Sequence, residues 1–196
     1  GRLAFEEAAE QTRQWISAIK LPENFFVSVN LSAAQLTSET LLNDMKTLVA
    51  QHKSVAGHMK LEITESQVMG NPEHAVYMLE AFKGLGLGLA LDDFGTGYSS
   101  LSYLHRFPFD TIKLPSPFVQ IRDDSGISHT QIPIINSVVG LARELDLVLI
   151  AEGVETEDEI ARLKSLNCRY AQGFAFGAAM PGSELQRRLQ GSVWRG

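Results

Sequence analysis

Two spacings of apolar residues alternate along the chain. Short runs rich in Val, Ile, Leu and Phe predict strands at 25–30, 59–64, 87–91, 109–114, 148–151 and 170–176. Between them, stripes at helical spacing predict helices at 38–52, 72–84, 99–106, 133–145, 157–166 and 183–189. Leu41, Leu42, Met45, Leu48 and Val49 form one such stripe behind a serine able to cap it, and 72–84 opens on Pro72 and closes on Gly84. The polar stretch 122–130 reads as a long loop. Strict alternation of strand and helix implies right-handed crossovers and a parallel sheet, and strands apolar on both faces suit a sheet covered by helices.

The polar interruptions are as informative as the runs. At or just beyond the carboxyl end of each strand stands a hydrogen-bonding or ionisable group: Asn30, Glu62 with Glu65, Asp92 with Asp93, Lys113, Glu152 with Glu155, and Gln172. A barrel gathers strand ends into one ring, whereas an open sheet spreads them along a line. The pattern therefore predicts an α/β fold of the TIM-like (β/α) barrel type. Six strand–helix units of the usual eight are visible, so an N-terminal piece is expected to be missing.

Acids packed so closely repel unless cations are present, and oxygen-only ligands suit a hard cation such as Mg²⁺ or Mn²⁺. Asp92-Asp93 could bridge two metals in a phosphoryl displacement, with Lys113 orienting water or neutralising charge and Glu152 taking the proton. Taken singly, each residue also has a plainer reading. Asp92-Asp93 before Gly95 is a turn signal, Glu62 an outward strand residue, Asn30 a cap, Lys113 a paired surface charge. His52, His58, His74, His105 and His129 fall away from the strand ends and read as structural or exposed.

Composition narrows the partner. Seventeen basic against 23 acidic residues give a net charge of −6, with no basic run, which argues against a nucleic-acid polymer. No stretch is long and apolar enough for a membrane span, and no signal-peptide pattern opens the chain. The lone Cys168 excludes an internal disulfide and suits a reducing, cytoplasmic setting.

The segments Val29-Asn30-Leu31-Ser32 with Gln35-Leu36, Leu61-Glu62-Ile63-Thr64-Glu65, Asp92-Asp93-Phe94-Gly95-Thr96-Gly97-Tyr98-Ser99-Ser100-Leu101, Ala151-Glu152-Gly153-Val154-Glu155 and Gln172-Gly173-Phe174 together resemble the EAL domain family. The resemblance implies a single domain over 1–196 lacking the family's first two strands, and hydrolysis of cyclic di-GMP to linear pGpG with Mg²⁺ or Mn²⁺. It implies metal ligation by Asn30, Glu62, Asp92 and Asp93, and catalysis by Lys113 and Glu152. Gln172, Ser32 and Gln35 would contact substrate, with Glu65 and Glu155 steadying loops. It further implies a homodimer through the loop and helix after Asp93, and attachment to a sensor or cyclase domain. Three departures stand out: the family's Glu-Ala-Leu strand and a neighbouring arginine do not appear, Pro115 replaces an aspartate, and Gly177-Ala178-Ala179 replaces Ser-Lys-Pro. The alternatives are a degenerate domain that senses the dinucleotide without cleaving it, and another metal-dependent barrel acting on a different phosphate ester or enolisable acid.

Overall fold

Parallel pairing follows from the strand–helix alternation, and every recorded strand pairing is parallel. The computed structural model describes residues 2–22, 24–97, 104–120 and 131–191. Among these, six strands form a sheet in chain order: β1 (Val27–Asn30), β2 (Met59–Thr64), β3 (Gly88–Asp92), β4 (Thr111–Leu114), β5 (Val148–Ala151) and β6 (Tyr170–Ala171). This is the α/β class expected from the sequence. The predicted helix 99–106 and loop 122–130 fall largely or wholly outside the described residues.

The chain divides into two units. The first comprises Gly1–Ile63, Asn71–Leu89 and Ala179–Gly196. It opens with α1 (Arg2–Ala18), a helix absent from the six predicted. Its buried face is Phe5, Ala9, Thr12 and Trp15, spaced one helical turn apart, but the stripe holds only three apolar members. Thr12 completes it by donating its hydroxyl to the Ala8 carbonyl at 2.7 Å, so a polar residue sits buried without an open bond. Next come the short α2 (Ala33–Leu36) and α3 (Glu39–Gln51), where the expected serine cap is present: the Ser38 hydroxyl accepts from the Leu41 N–H at 3.3 Å. After a 3₁₀ turn (Lys53–His58) and β2, the short α4 (Glu65–Gly70) passes into the second unit. Helix α5 (Pro72–Gly84) then returns to the first, capped by the Asn71 side chain. Leu41, Met45, Met59, Leu61, Ile63, Met78, Leu79, Phe82 and Leu89 are buried as its core.

The second unit, Thr64–Gly70 with Ala90–Ala178, holds β4, β5 and β6 and the end of β3. All four residues of β4 are buried. Helices α6 (Ser116–Val119), α7 (Gln131–Glu144) and α8 (Glu157–Ser165) follow these strands, and α9 (Gly182–Gly191) closes the described chain in the first unit.

One predicted element is corrected. The strand expected over 170–176 ends at Ala171. Beyond it the backbone turns: Val154 N–H donates to the Gln172 carbonyl, Ala175 N–H to Val154, and Phe176 N–H to Gly173. A Cβ on Gly173 would lie 2.1 Å from the Val154 carbonyl oxygen, so only glycine permits this approach. The apolar run continues past the strand, but its Phe174 and Phe176 are exposed.

Candidate functional site

Parallel register carries the polar residues to one end of each unit's strands. In the first unit, Asn30 pairs with Glu62 across β1 and β2, and Leu31 N–H donates to the Glu62 carbonyl at 2.9 Å. Glu62 is buried and Asn30 exposed. Ser32 and Gln35, read as substrate contacts, engage each other: the Gln35 side-chain oxygen accepts from the Ser32 N–H at 2.9 Å and from its hydroxyl at 2.8 Å. They cap the start of α2.

The second unit holds the denser cluster. Asp92 ends β3, Lys113 lies inside β4, Glu152 follows β5 and Gln172 follows β6. The backbone ladder runs on past the strands, with Glu152 N–H bonded to the Leu114 carbonyl at 2.9 Å and Gln172 N–H to Ala151 at 2.8 Å. The buried Lys113 ammonium stands 2.6 Å from Glu152 Oε1 and 3.6 Å from Asp92 Oδ1. Gln172 Nε2 donates to the same Glu152 oxygen at 2.9 Å. Four residues from four neighbouring strands thus form one connected group, in which a single ammonium faces two carboxylates.

Asp93 leaves the strand with φ +55, a left-handed conformation that aspartate tolerates, and its side chain is exposed. The turn it starts is pinned twice, by the Thr96 hydroxyl on the Asp93 carbonyl (2.8 Å) and by Gly95 N–H on Glu65 Oε2 (2.9 Å). Buried Glu65 thus meets the turn after Asp93 through the Gly95 N–H. Its other oxygen faces Gly97, where a Cβ would come within 2.9 Å. Glu155 is exposed and accepts from Gln120 Nε2 at 2.9 Å. Gln120 was not among the sequence candidates; a lone amide after an apolar run carries no signal of its own.

Oxygen-only donors fit a hard divalent cation in chemistry. Among the described residues, however, no three His, Cys, Asp or Glu side chains group closely enough to hold a metal. In the second unit Asp92 and Glu152 share the single Lys113 ammonium, which offsets one of their two charges. Pro115 precedes α6 with no side-chain donor or acceptor to offer.

Parallel strands in chain order, with acid, lysine and amide at or near their carboxyl ends, define an α/β protein whose polar side chains stand at the tips of its strands. The chain belongs to the EAL domain family, which matches residues 1–179. It is 36% identical over 186 residues to the bifunctional diguanylate cyclase/cyclic di-GMP phosphodiesterase MucR of Pseudomonas aeruginosa, covering 94% of this chain and 26% of that protein. The solved cyclic di-GMP complex of the MucR phosphodiesterase superposes with a TM-score of 0.86 at 34% identity, over 94% of this chain and 73% of that one. The EAL domain of Mycobacterium smegmatis DcpA gives 0.87 at 34% identity, over 97% and 84%. A manganese/cyclic di-GMP complex of Klebsiella pneumoniae BlrP1 gives 0.75 at 29% identity, over 88% and 42%. The chain spans about a quarter of the length of MucR.

Proposed function

We propose that this chain hydrolyses cyclic di-GMP to linear pGpG. The observation that carries the reading is the Lys113–Glu152–Gln172 group, with Asp92 on the same lysine, in a chain of the EAL family. Hydrolysis adds one water across one phosphodiester linkage: the water oxygen bonds to phosphorus, the P–O3′ bond breaks, and the product keeps a 5′-phosphate. Glu152 takes the proton of the attacking water. Lys113 holds that water and offsets charge growing on the phosphoryl oxygens. Gln172 orients the Glu152 carboxylate and lines the substrate side.

By family resemblance, Asn30, Glu62, Asp92 and Asp93 would hold Mg²⁺ or Mn²⁺, which when bound supplies Lewis-acid charge to the phosphoryl group. The resemblance also assigns Ser32 and Gln35 to substrate and the loop after Asp93 to a homodimer contact. It also assigns attachment to a sensor or cyclase domain, and the lone Cys168 suits a cytoplasmic setting. No described helix is long and apolar enough to cross a membrane.

One observation favours a second reading. Lys113 already engages two of the acids, and Pro115 offers no ligand, which suits a receptor that binds the dinucleotide without cleaving it. Incubating the full-length protein with cyclic di-GMP and Mn²⁺, with separation of products, decides between them. Hydrolysis predicts pGpG, lost in Glu152→Gln while calorimetric binding persists. Binding without product at any metal concentration establishes the receptor.

A further inference from the structure

Glu152 is aimed by a turn, and the turn is held by a residue outside the cluster. Gln120, just after α6, is buried although polar, and both protons of its amide are used. Nε2 donates to the Gly153 carbonyl at 2.9 Å and to Glu155 Oε1 at 2.9 Å. The amide has one sensible orientation, because its oxygen would meet two acceptors if reversed. The peptide joining Gly153 to Val154 is thereby fixed at both poles. Its carbonyl binds Gln120, and its N–H binds the Gln172 carbonyl at 3.1 Å. Gly153 itself has φ +67, and a Cβ there would lie 2.4 Å from Ser116 Cβ, so the turn is also seated on the start of α6. The Glu159 carboxylate accepts from the Glu155 N–H at 2.7 Å and from the Thr156 N–H at 3.0 Å, which leaves the end of the turn little freedom. Arg162 donates to the Val119 carbonyl and anchors the segment from which Gln120 projects.

We propose that Gln120 is a positioning residue for Glu152: by pinning the Gly153 carbonyl and Glu155 it keeps the Glu152 carboxylate on the Lys113 ammonium and the Gln172 amide. This rests on the hydrolase reading for its consequence in catalysis, though not for its geometry. Removing the two donors frees the peptide to rotate and moves Glu152 without touching Lys113, Asp92 or Gln172. Turnover should suffer more than substrate binding, since a misplaced proton acceptor costs the chemical step.

The test uses the full-length protein with Gln120→Leu, which keeps the bulk, and Gln120→Glu, which sets acceptor against acceptor. Two readouts apply. The first is steady-state hydrolysis of cyclic di-GMP. In Gln120→Leu, kcat should fall about tenfold with KM within about twofold. Gln120→Glu should be worse at pH 8, and its activity relative to wild type should recover as pH falls and a carboxyl takes up a proton that it can donate. The second readout needs no activity: NMR of the Gln172 side-chain amide and hydrogen exchange at the Val154 N–H. The Gln172 signal should shift and Val154 exchange should quicken about tenfold, while the Ile112 and Leu149 amides stay protected as a control on global stability. Wild-type Val154 exchange and an unmoved Gln172 signal in Gln120→Leu overturn the proposal, whatever the activity. A wild-type protein that binds cyclic di-GMP but yields no product defeats the hydrolase reading alone, and the NMR pair still decides the role of Gln120.

Discussion

Replacing Lys113 with methionine tests whether its ammonium is the cation that holds the strand-end acids together. The stem is buried, and Met fills nearly the same space, so the loss is almost purely electrostatic. At an effective dielectric near 20, opposite charges 2.6 Å and 3.6 Å apart attract by roughly 6 and 5 kcal/mol, a gross ceiling of about 11 kcal/mol before desolvation. Removing the lysine also spares the cost of burying it, and deleting one partner of a buried pair typically destabilises by about 3–5 kcal/mol. Here the two carboxylates keep side-chain exposures of 16% and 18%, so water partly replaces the ammonium. The expected loss is therefore about 2–3 kcal/mol. Urea unfolding in the presence of EDTA reads it directly: with a slope of about 2 kcal/mol/M, the midpoint should fall by about 1–1.5 M. The double variant with Glu152→Gln should show a coupling above about 1 kcal/mol, because the two groups share one contact. A midpoint moved by less than about 0.25 M, or strict additivity, would refute the claim that Lys113 is the local counter-ion.

Gly153→Ala combines a left-handed backbone with a 2.4 Å approach to Ser116 Cβ. The expected cost is about 2–4 kcal/mol, read as a drop in Tm of roughly 5–15 °C. Burial pushes the Cys168 thiol above its ordinary value of 9.0, so little thiolate exists at pH 8. Iodoacetamide should label it slowly in native protein and fast after unfolding; equal rates would contradict its burial. Glu10 is held down to about 2 by its hydrogen bonds to Arg13 and Gln14. Because the folded value lies below the unfolded 4.5, any stability it lends is present above that pH and lost as pH falls towards 2. Arg13→Met should raise the Glu10 carboxyl midpoint in an NMR titration; an unmoved midpoint would remove Arg13 as the cause.

Much of this molecule was legible from residue order alone. Runs such as Leu147 to Ala151 read as strands because a residue type buried on both faces shows no alternation. The polar residues that end them, Asp92, Lys113, Glu152 and Gln172, stood out against that apolar background. Parallel register then brought those four together, since strands of similar length that start at the same edge end at the same edge. Apolar spacing alone does not show helix α1, because Thr12 occupies a stripe position and its buried hydroxyl bonds to its own helix.

What only the folded chain decided depends on approaches between distant residues. Hydrophobic patterning encodes whether a position is covered, not by what. Nothing local to Gly173 tells that Val154 will press against it and cut β6 to two residues. Nothing local to Gln120 tells that its amide will meet a carbonyl 33 positions away. Residue order leaves Lys113 open to reading as a surface charge, whereas β4 is buried throughout and the ammonium lies on Glu152. Chain order thus supplied the chemistry at the strand tips. Packing chose its partners, because the cost of burying a charge or an amide is met only by groups that the tertiary fold brings within reach.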